Sequence, residues 1–382
     1  MMMLEARSRF GALALVLVAC GGEPPKTSEP EPAAADVAAA ATSPAASDAA
    51  PAASTAEVAA PPLDLTAATK KYVADSTAAW ASRDPKKRTA LFTADAMVGI
   101  PGANGWEEAK VADTEKALGG YFAAFPDLKL TYTRVIGKGN LAALEWVFTG
   151  TNSGELMGQK PTNKKSGYRG VSLVTFAPDG KVKRESTYFD MGTMMGQLGL
   201  GPKGQPVRAV EAAPTAAPEM FIGKDGDGAE AAARAWFGTA VKGDAKALAA
   251  LATDDIVVSN QYSPTDSKGK KAFEKETTEG AKAFVDQKID VVVCVPASPW
   301  VACEYTWTAT WKGPAMGMKP TGKTGTVHSI ELIELKDGKV AKTIAFANAA
   351  EFATAFGIGA EAPKGADTKK PAKKSDPTDS RQ

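Results

Sequence analysis

The chain has 382 residues, with 45 basic and 44 acidic side chains and a formal net charge of +1. So even a balance supplies no broad field, and no basic stripe is interleaved with aromatics, which argues against nucleic acid as a partner. The length accommodates two ordinary domains once the two ends are set aside.

In chain order, Arg7 and Arg9 come first, followed by the apolar run GALALVLVA, which stops at Cys20. That run is too short to cross a hydrocarbon core roughly 30 Å thick. It fits a secretory signal over residues 1–19, with a basic start, an apolar centre and small residues before the cut. Leu17-Val18-Ala19-Cys20 resembles the bacterial lipobox. That resemblance implies lipid on Cys20, of the palmitate type, and two or three acyl chains would anchor stably where one would not. Gly21, where an aspartate would signal inner-membrane retention, implies a cell-envelope protein anchored at the outer membrane. Residues 20–62 are mostly Ala, Pro, Ser, Thr and acidic residues, a disordered tether without enough large apolar side chains to order. Residues 361–382, rich in Lys, Pro, Asp and Ser, read as a disordered tail.

Between these ends the chain repeats itself. Asp84, Thr93 and Asp95 recur as Asp244, Thr253 and Asp255; Met157-Gly158 and Lys160-Pro161-Thr162 recur as Met316-Gly317 and Lys319-Pro320-Thr321. Asp179-Gly180-Lys181-Val182 recurs as Asp337-Gly338-Lys339-Val340. Matches in this order, with nearly constant spacing, indicate a tandem duplication. Residues 63–202 form the first domain and 228–360 a diverged second. The linker, 203–227, is broken by Pro206, Pro214 and Pro218.

Each copy opens with helical spacing: Tyr72, Ser76 and Trp80 in the first, and Ala229, Ala233, Trp236 and Ala240 in the second. Short helices are expected around Lys86–Phe92 and Ala245–Ala252. A third follows in each copy, before Phe125 and over Gly269–Phe284. The period then becomes two, predicting strands at Leu128–Val135, Leu141–Thr149, Tyr168–Phe176 and Lys181–Asp190. Their counterparts are Asp290–Val295, Val301–Thr310, Val327–Leu335 and Val340–Asn348. The fold class is therefore α+β: two cone-shaped, curved antiparallel sheets, each packed on its N-terminal helices.

The remaining cysteines, Cys294 and Cys303, bracket a turn and can face each other across two strands; in an oxidising compartment a disulfide is expected. His328 is the only histidine and has no companions at metal-ligand spacing, so no metal site is expected. Trp300, Trp307 and Trp311 with Met316 and Met318 form an aromatic and methionine cluster.

At Phe125-Pro126-Asp127, Glu145-Trp146, Gly150 through Glu155, Gly158, Pro161-Thr162, Asp179-Gly180-Lys181 and Tyr188-Phe189-Asp190, the first copy resembles the SnoaL-like (polyketide and ester cyclase-type) branch of the nuclear transport factor 2-like superfamily. The second copy is similar mainly through the first. The resemblance implies a cofactor-independent fold whose pocket holds an acid/base aspartate with a histidine nearby. The aspartate falls on Asp190. The histidine falls on Asn152, and in the second copy these positions are Asn348 and Trp311. Two roles for Asp190 stand open: proton transfer with a pKa raised by burial, or pairing with Arg169 or Arg184 or capping the helix that starts at Met191. A pocket reading adds Asn152 as a hydrogen-bond partner to a ligand carbonyl, with Trp146 and Tyr188 as walls. Trp311 would fill or narrow the second pocket. Such domains pair through their sheets, and a duplication allows that pair to form within one chain.

The leading expectation is a lipid-anchored protein binding a small apolar or carbonyl-bearing ligand in its first domain without robust catalysis. The alternatives are a cyclase, isomerase or hydrolase using Asp190, and an envelope interaction scaffold.

Overall fold

The computed structural model describes residues 63–102, 105–223 and 228–358. The signal, Cys20, the tether and the tail lie outside the described residues.

In the first domain, α1 (Leu65–Ser82) starts where the Asp64 carboxylate accepts from Ala67 N at 3.0 Å, satisfying one of the orphan donors of the first turn. It buries Leu65, Thr69, Tyr72, Ser76 and Ala79, a single stripe at helical spacing. Asp84 caps α2 (Pro85–Thr89), whose first position is the proline that tolerates lacking an N–H there. The chain continues through β1 (Phe92–Gly102), β2 (Gly105–Lys110), α3 (Glu115–Ala124), β3 (Lys129–Lys138), β4 (Leu141–Thr151), β5 (Lys165–Phe176), β6 (Val182–Phe189), α4 (Met191–Gln197) and β7 (Glu219–Ile222). The sheet order is β2-β1-β6-β5-β4-β3-β7.

The second domain repeats the plan without an equivalent of β7. Its elements are α5 (Ala229–Ala240), α6 (Ala245–Ala250), β8 (Ala252–Asn260), β9 (Ser267–Lys268), α7 (Lys270–Ala283), β10 (Phe284–Ala297), β11 (Trp300–Trp311), β12 (Thr324–Lys336), β13 (Lys339–Ala347) and α8 (Ala349–Ala355), with sheet order β10-β11-β12-β13-β8-β9. Asp244 caps α6 as Asp84 caps α2.

Both sheets are mixed, each an antiparallel meander joined by a strand from near the domain's start that lies parallel to the meander's last strand: β1 on β6, and β8 on β13. These entering strands and their short hairpin partners are absent from the periodicity reading. In β1 a register shift between Phe92 and Met97 breaks the alternation, so its buried positions do not recur every second residue. β7, inside the proline-rich break, adds a further parallel strand beside β3.

Each concave face closes over its helices. Tyr72, Phe122, Phe125, Phe148 and Tyr168 belong to the first core, and Trp236, Phe237, Ile256 and Phe273 to the second. A further cluster joins the outer faces of the two sheets, with Val171, Leu173 and Tyr188 against Trp300, Ile330 and Phe346. Arg134 lays its guanidinium over the Trp300 ring at 3.8 Å. The central strands are therefore buried on both faces.

Cys294 and Cys303 are register partners on β10 and β11 and form a disulfide. It closes a short loop, which limits its entropic contribution to about 2–3 kcal/mol. The double variant Cys294→Ala/Cys303→Ala should show a correspondingly lower urea midpoint with an unchanged slope. An unmoved midpoint would show that the bridge contributes nothing to stability.

Candidate ligand pocket

The cone of the first domain holds a cavity of about 250 Å³. Its walls are apolar for most of their extent, with Trp80, Phe92, Leu130, Phe148 and Phe189 among them. Polar groups gather at two places.

At the first, Arg88 from α2 and Glu185 from β6 meet at 2.5 Å, both almost fully buried. Tyr72 accepts from Arg88 at 3.1 Å and donates to Glu185 at 3.3 Å. A chain runs on along the wall: Trp146 Nε1 donates to Ser172 Oγ at 3.2 Å, Ser172 bonds Thr187 at 3.1 Å, and Thr187 donates to Glu185 Oε1 at 3.1 Å. Burial by itself would lower the Arg88 pKa, but the Glu185 carboxylate outweighs it and holds the guanidinium above its ordinary value. Arg88 also lies against the rings of Phe92, Tyr72 and Trp80 (4.7, 5.7 and 5.8 Å). Its Nη1 has no hydrogen-bond partner among the described residues. A buried pair of this kind is costly to break, because removing either member strands the other charge.

At the second, Tyr121 of α3 and Tyr168 of β5 share a hydrogen bond of 2.5 Å between their hydroxyls. Burial pushes both phenols above their usual pKa. Nearby, Tyr132 bonds Ser76 at 2.8 Å, and burial pushes its phenol up to about 12. These hydroxyls stay protonated at neutral pH and can orient a ligand oxygen.

Of the residues expected in this pocket, Trp146 lines it. Asp190, Tyr188 and Asn152 do not appear in its lining. Asp190 is buried as the N-cap of α4, accepting from Gly192 N (3.2 Å), Thr193 N (2.7 Å) and Thr193 Oγ1 (2.8 Å). Its fourth donor is Ala349 N of the second domain at 2.9 Å. Burial raises its pKa, while these four donors oppose the rise. Its neighbours fit a helix cap and an inter-domain tie rather than the proton-transfer role that the resemblance implies. It pairs with neither Arg169, which bonds Glu145 and Glu211, nor Arg184, which bonds Glu108.

Tyr188 faces away from the cavity, stacking on Trp106 at 4.7 Å and donating to Glu304 of the second domain at 2.7 Å. Asn152 accepts from Thr162 N and Oγ1 and donates to Gly154 O, which leaves its amide engaged in holding a loop. The residues that line the cavity instead are Glu185, Thr187 and Phe189, the other face of the same strand. Strand alternation separates these two sets but does not say which set points inward when both are buried.

The second domain differs at the same places. Trp311 occupies the backbone position of Asn152: Asn152 N donates to Lys164 O, and Trp311 N to Lys323 O. Its fully buried indole packs with Phe284, Phe352 and Phe356 and donates to Gly313 O at 2.7 Å. On β12, Glu331 is buried with Tyr305 donating to it at 3.4 Å and Thr343 and Trp236 facing it. No basic side chain pairs with Glu331 among the described residues. The only histidine, His328, bonds Glu351 at 2.6 Å and stacks on Trp106, and no metal-holding group of side chains occurs among the described residues. No helix among the described residues is long and apolar enough to cross a membrane.

Comparison with known proteins matches the model of the SnoaL-like polyketide cyclase family twice, at residues 73–198 and 230–355. Among solved structures, AclR from Streptomyces galilaeus is 27% identical over 36% of this chain and 89% of its own, with a TM-score of 0.33. IdmH from Streptomyces antibioticus is 26% identical over 34% and 97%, with a TM-score of 0.31. An LEH-like epoxide hydrolase from M. tuberculosis is 14% identical over 35% and 93%, with a TM-score of 0.30. No curated protein matches the chain.

Burial pushes Glu331 from the ordinary carboxyl range up to about 7. The fold therefore favours its protonated form, and the stability this contributes is present below the unfolded carboxyl pKa and lost as pH rises through 7. From pH 5 to 8 the chain should lose up to roughly 3 kcal/mol from this group, whereas Glu331→Gln should not. Thermal melts of both proteins across that range test this. Parallel curves would exclude Glu331 as the titrating group.

Proposed function

Because the chain belongs, in both halves, to the SnoaL-like polyketide cyclase family, we propose that its first domain binds one small, mostly apolar molecule carrying a carbonyl or hydroxyl oxygen. The observation that carries this reading is the cavity itself: mostly aromatic and aliphatic walls, whose ionisable lining groups are Arg88, Glu185, Tyr121, Tyr132 and Tyr168. Such a site recognises shape by apolar contact and fixes orientation through a few polar atoms.

Binding is favoured over turnover by what the polar groups already do. Glu185 already accepts from Arg88, Tyr72 and Thr187, which occupy three of the roughly four acceptor sites of a carboxylate, and its ion pair with Arg88 is costly to disturb. The phenols hold their protons at neutral pH. Asp190 is spent on four donors away from the cavity. The second domain, with Trp311 and its phenylalanine neighbours packed at the position of Asn152, serves as the structural half.

Trp80 and Trp146 line the cavity, so occupancy should change their fluorescence. A panel of aromatic ketones and phenols titrated into the purified chain should produce saturable quenching, and Arg88→Met should weaken it for oxygen-bearing members. Absence of saturable binding across the panel, together with no co-purified molecule by native mass spectrometry, would overturn the reading.

The lipobox-like start supports a further part of the proposal, that this pocket is held near an envelope membrane by lipid on Cys20. Metabolic labelling with a palmitate analogue should mark the wild type and not Cys20→Ser, which should fractionate as soluble protein. Equal labelling of the two would remove the anchor.

A further inference from the structure

Between the two domains lies a second cavity of about 400 Å³, chemically unlike the first. It is lined by charged and polar groups from both outer sheet faces and from the linker. The space is far larger than one water needs.

Its carboxylates are all engaged. Glu145 is held by Arg134 at 2.6 Å and Arg169 at 3.0 Å, and Glu211 by Arg169 at 2.9 Å. Asp266 accepts from Arg208 at 2.8 Å and from Ser259 at 2.8 Å. Four basic groups thus face three acids, and Lys342 on β13 is the one left over, half-buried and without an ion pair among the described residues. Its charge is nonetheless felt at Asp266, where it helps lower the carboxyl pKa after the Arg208 and Ser259 bonds.

Gln261 is a second, independent sign. It is 3% exposed and lines the cavity; its amide nitrogen donates to Ser259 Oγ at 2.8 Å, and its amide oxygen has no partner among the described residues. A buried amide atom left unpaired costs about 1–3 kcal/mol. That cost is recovered when something in the cavity bonds it.

We propose that this inter-domain cleft binds a compact oxyanion, a carboxylate or a phosphate. Lys342 supplies the unmatched positive charge, and the planar guanidinium groups of Arg169 and Arg208 supply further donors, each with one terminal nitrogen that makes no hydrogen bond among the described residues. Gln261 reads a hydroxyl on the same molecule, which favours a hydroxylated carboxylate over bare phosphate. The three carboxylates repel such a ligand less than free acids would, because each is ion-paired with a guanidinium.

Calorimetric titration of the purified chain with citrate and with inorganic phosphate, at constant ionic strength and against a chloride blank, tests the proposal. Saturable binding of at least one anion is expected, at least tenfold weaker in Lys342→Met and retained in Lys342→Arg. Lys342 makes no ion pair among the described residues and acts on Asp266 only after Arg208 and Ser259, so the melting temperature of Lys342→Met should fall by no more than a few degrees. Gln261→Leu should weaken citrate more than phosphate. No saturable heat with either anion overturns the site, as does wild-type affinity in Lys342→Met. Equal loss for both anions in Gln261→Leu removes the hydroxyl-reading role and, with it, the preference for a hydroxylated carboxylate.

Discussion

The structure depends on one constraint: both sheets are covered on both faces, inwardly by their own helices and outwardly by each other. A sheet exposed on one side can tolerate polar side chains at every second position. Here the outer positions of β5 and β6 pack on Trp300, Ile330 and Phe346, so alternate residues on either side must be apolar or fully bonded. Asp190 and Asn348 show how that requirement is met. They occupy matching positions at the ends of β6 and β13, and each caps its own following helix. Each also crosses to the other domain, Asp190 accepting from Ala349 N and Asn348 donating to Gly102 O at 3.2 Å. A near-twofold pair of caps therefore sits where the domains meet. The acidic member has four donors around it, whereas the amide needs fewer.

The duplicated cones then diverged through how each handles a buried carboxyl. In the first, Glu185 on β6 is compensated by Arg88, reaching in from α2, and the polar wall that results borders an open cavity. In the second, Leu248 of the equivalent helix belongs to an apolar cluster, and the buried acid, Glu331, stands on β12 with only hydrogen bonds around it. Without a cation such a group is held neutral more cheaply than charged, which is the cause of its raised pKa. Exchanging Asn152 for Trp311 acts in the same direction, replacing loop-holding hydrogen bonds with aromatic packing.

Much of this was legible in the sequence, for reasons that can be named. The family-like motifs encode backbone geometry more than chemistry. Met157-Gly158 and Met316-Gly317 are paired left-handed residues (φ 50 and 76, 53 and 72) at the same turn. Asp127 fixes Thr151 through its amide and hydroxyl, both at 2.7 Å. Thr162 holds Asn152. These local demands survive duplication, so the repeat could be seen. The pocket chemistry was harder, because it depends on pairing across long separations. Arg88 meets Glu185 only after the sheet has curled, and next to Lys86 and Lys87 it reads as one more surface cation. On β6, alternation sorted Tyr188 and Asp190 onto one face and Glu185 and Phe189 onto the other. Burial of both faces hid which was inward. The strands β1 and β8 carry no clean period of two, because a shifted register interrupts their pairing.

Joining the two domains in one chain has a consequence that a pair of identical subunits would lack. Two copies related by an exact twofold axis present every inter-domain feature twice. Here the linker runs across the interface once, and Arg208 and Glu211 come from it: Arg208 bonds Ser263 O, Asn260 O and Asp266, while Glu211 bonds Arg169. The polar cleft lies on the side that the linker crosses, built from β3, β4 and β5 of one domain, the end of β8 and β13 of the other, and the strap between them. The apolar cone and the polar cleft therefore lie on opposite faces of one sheet, with β4 contributing Trp146 to the first and Glu145 to the second. Adjacent residues on a strand point to opposite faces, so a shift of β4 along its neighbours would disturb both sites together.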